Sequence, residues 1–306
     1  LLLAAPVLSQ VAKRLAGVDR RRPLPRFAPQ TLRTWWRRRP AAGPTRPRVL
    51  LWPDTFTDHF SPSAGQAAVQ VLEDAGYRVE LPDEPLCCAL TWISTGQLDT
   101  AKRVLRHTVD RLATLVGEGP GSKGGSAEVR GASVLVGLEP SCLAVLRHDA
   151  PALLGADDPA AVVVARAART LAEVLGATPG WAPPDLSGVV AVAQPHCHQH
   201  AVLGWEADRD LLARAGAEVT AVGGCCGLAG NFGAERGHYD VSVAVAETAL
   251  LPAVRAAGPG AVVLADGFSC RTQLDHLAGR RALHLAELLA RAQAEPGAEG
   301  EPGAGP

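Results

Sequence analysis

The stretch LLARAGAEVTAVGGCC, residues 211–226, reads as the end of a helix, an Ala-Gly turn, a short apolar strand and a pair of adjacent cysteines. The same order of events occurs earlier in VLEDAGYRVELPDEPLCC, residues 71–88. Working outward, VLVGLEPSC (134–142) matches VVLADGFSC (262–270) as strand, bend and one cysteine. VLLWPDT (49–55) matches VAVAQPHC (190–197), with Asp54 or Thr55 where the second copy has Cys197. The chain is therefore expected to be an internal duplication of βα units. Strands are expected at 49–52, 77–81, 132–138, 189–193, 217–222 and 261–266, and helices near 63–75, 98–116, 159–175, 199–215, 239–257 and 282–293. This alternation predicts an α/β fold of two pseudo-repeated βα halves with mainly parallel sheets.

The duplication sets the domain organisation. Residues 1–46 form a basic arm, read as a helical connector, and 47–175 form the first, degenerate cysteine-rich half. A Pro/Gly linker follows at 176–188, then the second cysteine-rich half at 189–294 and a tail at 295–306 that is disordered by composition. The glycine-rich 117–128 reads as a surface loop. The net charge of -1 hides an asymmetry, because the arm carries eleven Lys or Arg against Asp19 alone. The rest is acidic, which argues against a nucleic-acid binder, whose basic residues would mark the folded body. The runs RRRP and WWRRRP read as a solvated connector or a docking arm for another domain. No run of 18 apolar residues is present. Seven cysteines at uneven spacing do not suggest a disulfide scaffold, so a reducing, cytoplasmic compartment is expected. The absence of methionine suggests a piece of a longer chain.

All seven cysteines fall at strand ends of the repeat: Cys87, Cys88 and Cys142 in the first half, Cys197, Cys225, Cys226 and Cys270 in the second. One free cysteine is commonly a small buried hydrophobe; seven so placed call for another explanation. Open parallel sheets gather ligands at the carboxyl ends of their strands, so each half should bring its thiols to one crevice. Adjacent thiols in an extended chain point apart, which suits a single zinc ion poorly and a multi-iron cluster better, since neighbouring thiolates can bind different irons. Glycines beside the pair, Gly224 and Gly227, let backbone N–H groups approach the cluster. The second half offers four thiolates. The first offers three, with Asp54 or His59 as a substitute. In PHCHQH, His196 and His198 flank Cys197 as mixed-ligand, supporting or substrate-contacting candidates, with His200 on the same face, while His284 reads as an interfacial helix residue.

These segments resemble the cysteine-rich CCG domain, which occurs twice in the cysteine-rich component of heterodisulfide reductase and in the iron–sulfur components of glycolate oxidase and anaerobic glycerol-3-phosphate dehydrogenase. The chain also resembles the C-terminal region of FAD-linked oxidases of the D-lactate or D-2-hydroxyglutarate dehydrogenase kind. The residues that carry the likeness are EPSCLAVLRHDAPALL (139–154), QPHCHQHAVLG (194–204), GGCCGLAGNFGAERGHYDVS (223–242) and ADGFSCRTQLDHL (265–277). The resemblance implies iron–sulfur clusters of the 4Fe-4S type, with FAD-binding and ferredoxin-like domains upstream in the full chain. It also implies a 2-hydroxy acid oxidised at the flavin, a quinone or carrier protein as electron acceptor, and peripheral association with a membrane. The chain departs from the pattern in three places. The first pair reads CCAL, its upstream cysteine is Asp54 or Thr55, and each half ends in one cysteine (PSC, FSC) where the full motif has C-x-x-C. The second half is therefore the safer site.

The expected role is an electron-transfer module, not catalytically complete by itself, with Arg271 and His198 as candidates for holding a substrate carboxylate. The alternatives are a zinc-stabilised docking domain and thiol–disulfide chemistry at Cys225 and Cys226.

Overall fold

The computed structural model describes residues 6–40, 46–117 and 134–294. Two parallel sheets form its frame. In the first, β1 (Arg48–Trp52) lies between β2 (Arg78–Glu80) and β3 (Val134–Gly137), and β3 also pairs with the two-residue β4 (Ala168–Arg169). In the second, β5 (Val190–Ala193) lies between β6 (Glu218–Ala221) and β7 (Val262–Leu264). Val49 stands opposite Val79 and Val134, and Ala191 opposite Val219 and Val262. The orders β2-β1-β3 and β6-β5-β7 are the same, so the duplication read from the sequence is a duplication of topology. Both central strands are covered on two faces, which is why Val49 to Trp52 and Ala191 to Ala193 are buried without alternation.

Helices α1 (Pro6–Leu15) and α2 (Leu32–Trp36) belong to the arm. α3 (Thr55–His59) and α4 (Pro62–Asp74) lead from β1 to β2, and α5 (Leu90–Ser94) and α6 (Leu98–Gly117) follow β2. After β3 come α7 (Pro140–Ala144), a π-helical turn at Val145–Asp149, α8 (Ala150–Leu154) and α9 (Pro159–Ala167), and α10 (Leu171–Gly176) follows β4. The second half has a π-helical turn at Gln199–Leu203, then α11 (Glu206–Arg214), α12 (Tyr239–Thr248), α13 (Leu250–Ala256), α14 (Phe268–Ala278) and α15 (Leu285–Ala294).

Three expected helices are broken. The one at 199–215 stops at Gly204, whose φ of 82° leaves the helical region. The one at 239–257 breaks at Ala249, because the ring of Pro252 excludes a continuous helix through the preceding turn. The one at 159–175 is interrupted by β4, and Thr170 restarts the chain as α10 through a capping box with Glu173. This restart has a counterpart that the sequence reading overlooked. ARTLAEVL (168–175) corresponds to ALHLAELL (282–289), where Leu283 bridges in parallel to Leu264 and the His284 N–H donates to Glu287 Oε2 at 3.0 Å.

The closing helices exchange partners. α10 packs against α11 of the second half, and α15 packs against α4 of the first. A shared core results, with Leu51, Leu72, Leu175, Leu211, Leu264 and Leu289 among its members. Cys88 and Cys142 lie in a second apolar cluster, and Cys226 and Cys270 in a third.

The arm is bound along both halves. Val18 forms an antiparallel bridge with Glu235, and Arg22 is buried in the second half. Leu32 fills the space above Gly65, where a Cβ would come within 2.3 Å of it. Arg33 is buried against Asp58 at 3.0 Å and donates to the Pro82 carbonyl, while Arg39 pairs with Glu73. This corrects the reading of its charge runs as a solvated connector: several guanidiniums find acceptors that only the fold supplies. Among the described residues, no helix is long and apolar enough to cross a membrane. The expected surface loop lies outside the described residues from 118 onward, as does the whole tail at 295–306.

Candidate metal centre

In the second half, three loops leaving the carboxyl ends of β5, β6 and β7 carry the thiols. Pro195 and His196 end the first loop, and Cys197 begins the helical turn. Gly224 (φ 86°) and Gly227 (φ 87°) bend the second loop around Cys225 and Cys226. Gly227 is also required sterically, because a Cβ there would lie 2.2 Å from the Ser242 carbonyl oxygen. Cys270 sits in the first turn of α14. The four thiols are neighbours in series, Cys197 beside Cys225, Cys225 beside Cys226 and Cys226 beside Cys270. Backbone N–H groups face them. Gly227 donates to Cys225 Sγ at 3.3 Å, and the N–H groups of His198 and Leu228 serve Cys197 and Cys226.

The first half repeats this arrangement. Cys87 contacts Cys88, whose Sγ lies 3.1 Å from Cys142 Sγ, and the Ala89 N–H donates to Cys87 Sγ at 3.5 Å. Ala89 holds the left-handed conformation (φ 64°) that Gly227 holds in the second copy. The place of Cys197 is taken by Thr55, first residue of α3, whose side chain hydrogen-bonds Cys87. Asp54 is the N-cap of α3, engaged by Phe56 N–H, Thr57 N–H and Thr57 Oγ1. The His59 ring meets Phe27 and Asp58, and its carbonyl accepts the Ala28 N–H at 2.8 Å.

The protonation pattern suits a cationic occupant. Cys225 is held far below the usual thiol value by hydrogen bonds from Cys197 and Cys226 and by the Gly227 N–H. Its neighbours go the other way. Cys226 is raised by hydrogen bonding to Cys225 and Cys270 and by burial, and Cys197 by hydrogen bonding to Cys225 and by burial. Neighbouring thiolates repel one another, and a positive ion among them removes that cost. In the first half Cys142 accepts from Cys88, yet burial and the nearby Asp54 and Glu139 push it up to about 11.

Cys197 Sγ lies 3.7 Å from Nδ1 of both His196 and His198, and these three ligand atoms fall within 4.8 Å of one another. His196 Nδ1 accepts the His198 N–H at 3.1 Å, which puts its ring proton on Nε2. Burial lowers His196 to about 4, so it is neutral, and the two rings stack. Gly267 makes room for that ring, since a Cβ would approach His196 Cδ2 to 2.2 Å. Arg271 Nη1 donates to the Ala265 carbonyl at 3.0 Å and also to that of Asp266, so its guanidinium closes the end of β7. His200, beyond this group, is exposed. His284 is buried between the halves and contacts the Leu138 carbonyl at 3.1 Å through Nε2.

Sequence reasoning missed Glu139. This buried carboxylate accepts the Phe268 N–H at 2.7 Å and Ser141 Oγ at 2.9 Å, joining the two halves between the thiol sets. Burial raises its pKa, opposed by Arg271. Its only signal is the acidic residue of EPSC, where the second copy has Gly267.

Residues 54–147 match the family model of the cysteine-rich CCG domain. That segment is similar to the CCG-type cysteine-rich domain. The match falls on the first copy, whose pair reads CCAL. Over 284 residues the chain is 28% identical to a subunit of the anaerobic glycerol-3-phosphate dehydrogenase of Escherichia coli (strain K12), covering 90% of this chain and 67% of that protein. It is 28% identical over 261 residues to lactate utilization protein A of Exiguobacterium sp. (strain ATCC BAA-1283 / AT1b), covering 79% of this chain and 97% of that one. Lactate utilization protein A 1 of Bacillus cereus (strain AH820) is 25% identical over 197 residues, 60% of this chain and 74% of that one. No solved structure matches.

Proposed function

We propose that this chain is the iron–sulfur electron-transfer part of a dehydrogenase, with a cluster of 4Fe-4S type held by Cys197, Cys225, Cys226 and Cys270. The observation that carries this reading is the convergence of four sulfurs from three strand-end loops, three of them already met by backbone N–H groups. Bound there, the cluster would supply one-electron storage at a potential that depends on hydrogen bonds to sulfur and on burial. The chain's own residues do the rest. Gly224 and Gly227 bring the backbone close, His196 and His198 cover Cys197, and Arg271 and His198 are candidates to hold an anionic group of the substrate. Cys87, Cys88 and Cys142, with Thr55 as fourth neighbour, form the weaker site.

The electrons would come from FAD on a partner domain or partner protein that oxidises a small hydroxy compound, in line with relatives named for lactate and glycerol 3-phosphate. They would pass to a quinone or carrier protein, with ferredoxin-like clusters alongside, in the cytoplasm or at the inner face of a membrane.

Anaerobic reconstitution with iron and sulfide tests this. The expected product is brown, bleaches on reduction, and loses more iron in Cys225→Ser or Cys226→Ser than in Cys87→Ser. Colourless protein with stoichiometric zinc would instead establish a structural metal and overturn the cluster reading. Equal iron loss in both halves would show a complete first-half cluster.

A further inference from the structure

Arg22 of the arm lies directly behind the second cysteine loop and is 3% exposed. Its Nε donates to the Gly233 carbonyl at 2.7 Å, Nη1 to Gln273 Oε1 at 2.6 Å and Nη2 to Ser242 Oγ at 2.6 Å. All three acceptors are neutral. Asp19, the carboxylate that acts on it, is itself bound by Arg21 through Nε and Nη2 at 3.0 Å each. A guanidinium does not shed its proton, and a buried cation without a partnered anion is costly. Its remaining neighbour is the Tyr239 ring, 4.6 Å from the guanidinium carbon, so no anion is dedicated to it and the position calls for negative charge close by.

The geometry says where that charge belongs. Ser242 and Gly233, which hold Arg22, are also the residues against which Gly227 packs: a Cβ on Gly227 would lie 2.2 Å from Ser242 O, and a Cβ on Gly233 would lie 2.9 Å from Gly227 O. One layer of residues separates the guanidinium from the Cys226-Gly227 turn, and Cys226 is among the groups acting on it. The first half has the opposite environment. The charged groups acting on Cys142 there are the carboxylates Asp54 and Glu139.

We propose that Arg22 is the fixed counter-charge of the second-half cluster, a positioning residue of the N-terminal arm that makes this cluster easier to reduce than any formed in the first half. The inference rests on the cluster reading above. Reduction adds one electron, supplied by the flavin partner, and so one negative charge at the thiolate set. A cation one layer away stabilises that product more than the oxidised form.

The test is a potentiometric titration of the anaerobically reconstituted chain, read by absorbance and electron spin resonance. Arg22→Gln is expected to keep its iron and to lower the reduced-to-oxidised ratio at fixed potential about tenfold, ~59 mV for one electron. Arg22→Lys, which keeps the charge, should fall between Arg22→Gln and the unchanged chain. Asp240→Asn removes the exposed pair with Arg21 while Arg21 keeps its hold on Asp19, and should leave the potential where it was. If Arg22→Gln does not fold, Gln273→Glu gives the same reading by placing a carboxylate on Nη1, and the potential should again fall. The proposal is overturned by an unchanged potential in the iron-loaded Arg22→Gln or Gln273→Glu protein. Equal shifts in Arg22→Lys and Arg22→Gln, or an equal shift in Asp240→Asn, would overturn it too, because the charge of Arg22 would then not be the cause. Failure of the cluster reading looks different: the unaltered chain takes up no iron and sulfide.

Discussion

Thr55 and Cys197 occupy the same place after their central strands, each at the first helical position, one with a hydroxyl and the other with a thiol. Thr55→Cys should therefore complete a first set of four sulfurs, and iron per chain after reconstitution should rise by roughly one cluster's worth. No gain in iron would show that Asp54 and Glu139 repel the set. Asp54 also has a pH signature. Burial and the facing Glu139 raise it from 3.8 to about 6, so the folded state holds its proton more tightly than the unfolded chain does. Its stabilising contribution is full below about pH 3.8 and is lost as pH rises through about 6. Asn can keep the N-cap of α3. Thermal unfolding of the metal-free protein should then show the unaltered chain losing about 1–3 kcal/mol relative to Asp54→Asn between pH 4 and 7. A pH-independent difference would rule out titration of Asp54 in this range.

The elements that tie the halves together are α10 and α15, each seated on the first long helix of the opposite half. Leu289 of α15 is fully buried in the shared core. Leu289→Ala should cost about 2–5 kcal/mol, and the loss should loosen amide protection in α4 as well as in α15. Protection changes confined to the second half would show that the exchange of closing helices does not couple the halves. Equivalent sequences made these helices, ARTLAEVL and ALHLAELL, but their similarity is short and their caps differ, with Thr170 in one and His284 in the other.

For the molecule as a whole, oxidation of substrate and storage of electrons are expected to be separate. Purified residues 1–306 with an artificial dye should turn over neither a 2-hydroxy acid nor glycerol 3-phosphate, and should accept electrons once the flavoprotein partner is added. Turnover by the chain alone would demand a catalytic site beyond the two thiol sets. The arm bears on this scale too. With Arg22 fixed to one half and Arg33 to the other, whatever is joined to or docked on the arm meets a surface held against both sheets.

The duplication, the parallel βα class and the concentration of thiols at strand ends could all be read from the residues alone. Repeated short apolar runs and the paired cysteines of 87–88 and 225–226 are local patterns, and local patterns survive in one dimension. Partnership was decided by tertiary structure. Whether Asp54, Thr55 or His59 stands fourth beside Cys87 depends on where α3 begins, and that depends on Asp54 spending its oxygens as a cap. Glu139 and Arg22 were invisible as functional residues because their meaning lies in contacts across more than a hundred positions, to Phe268 and to Ser242. A sequence shows that a charge exists; only the fold decides whether water or another group answers it.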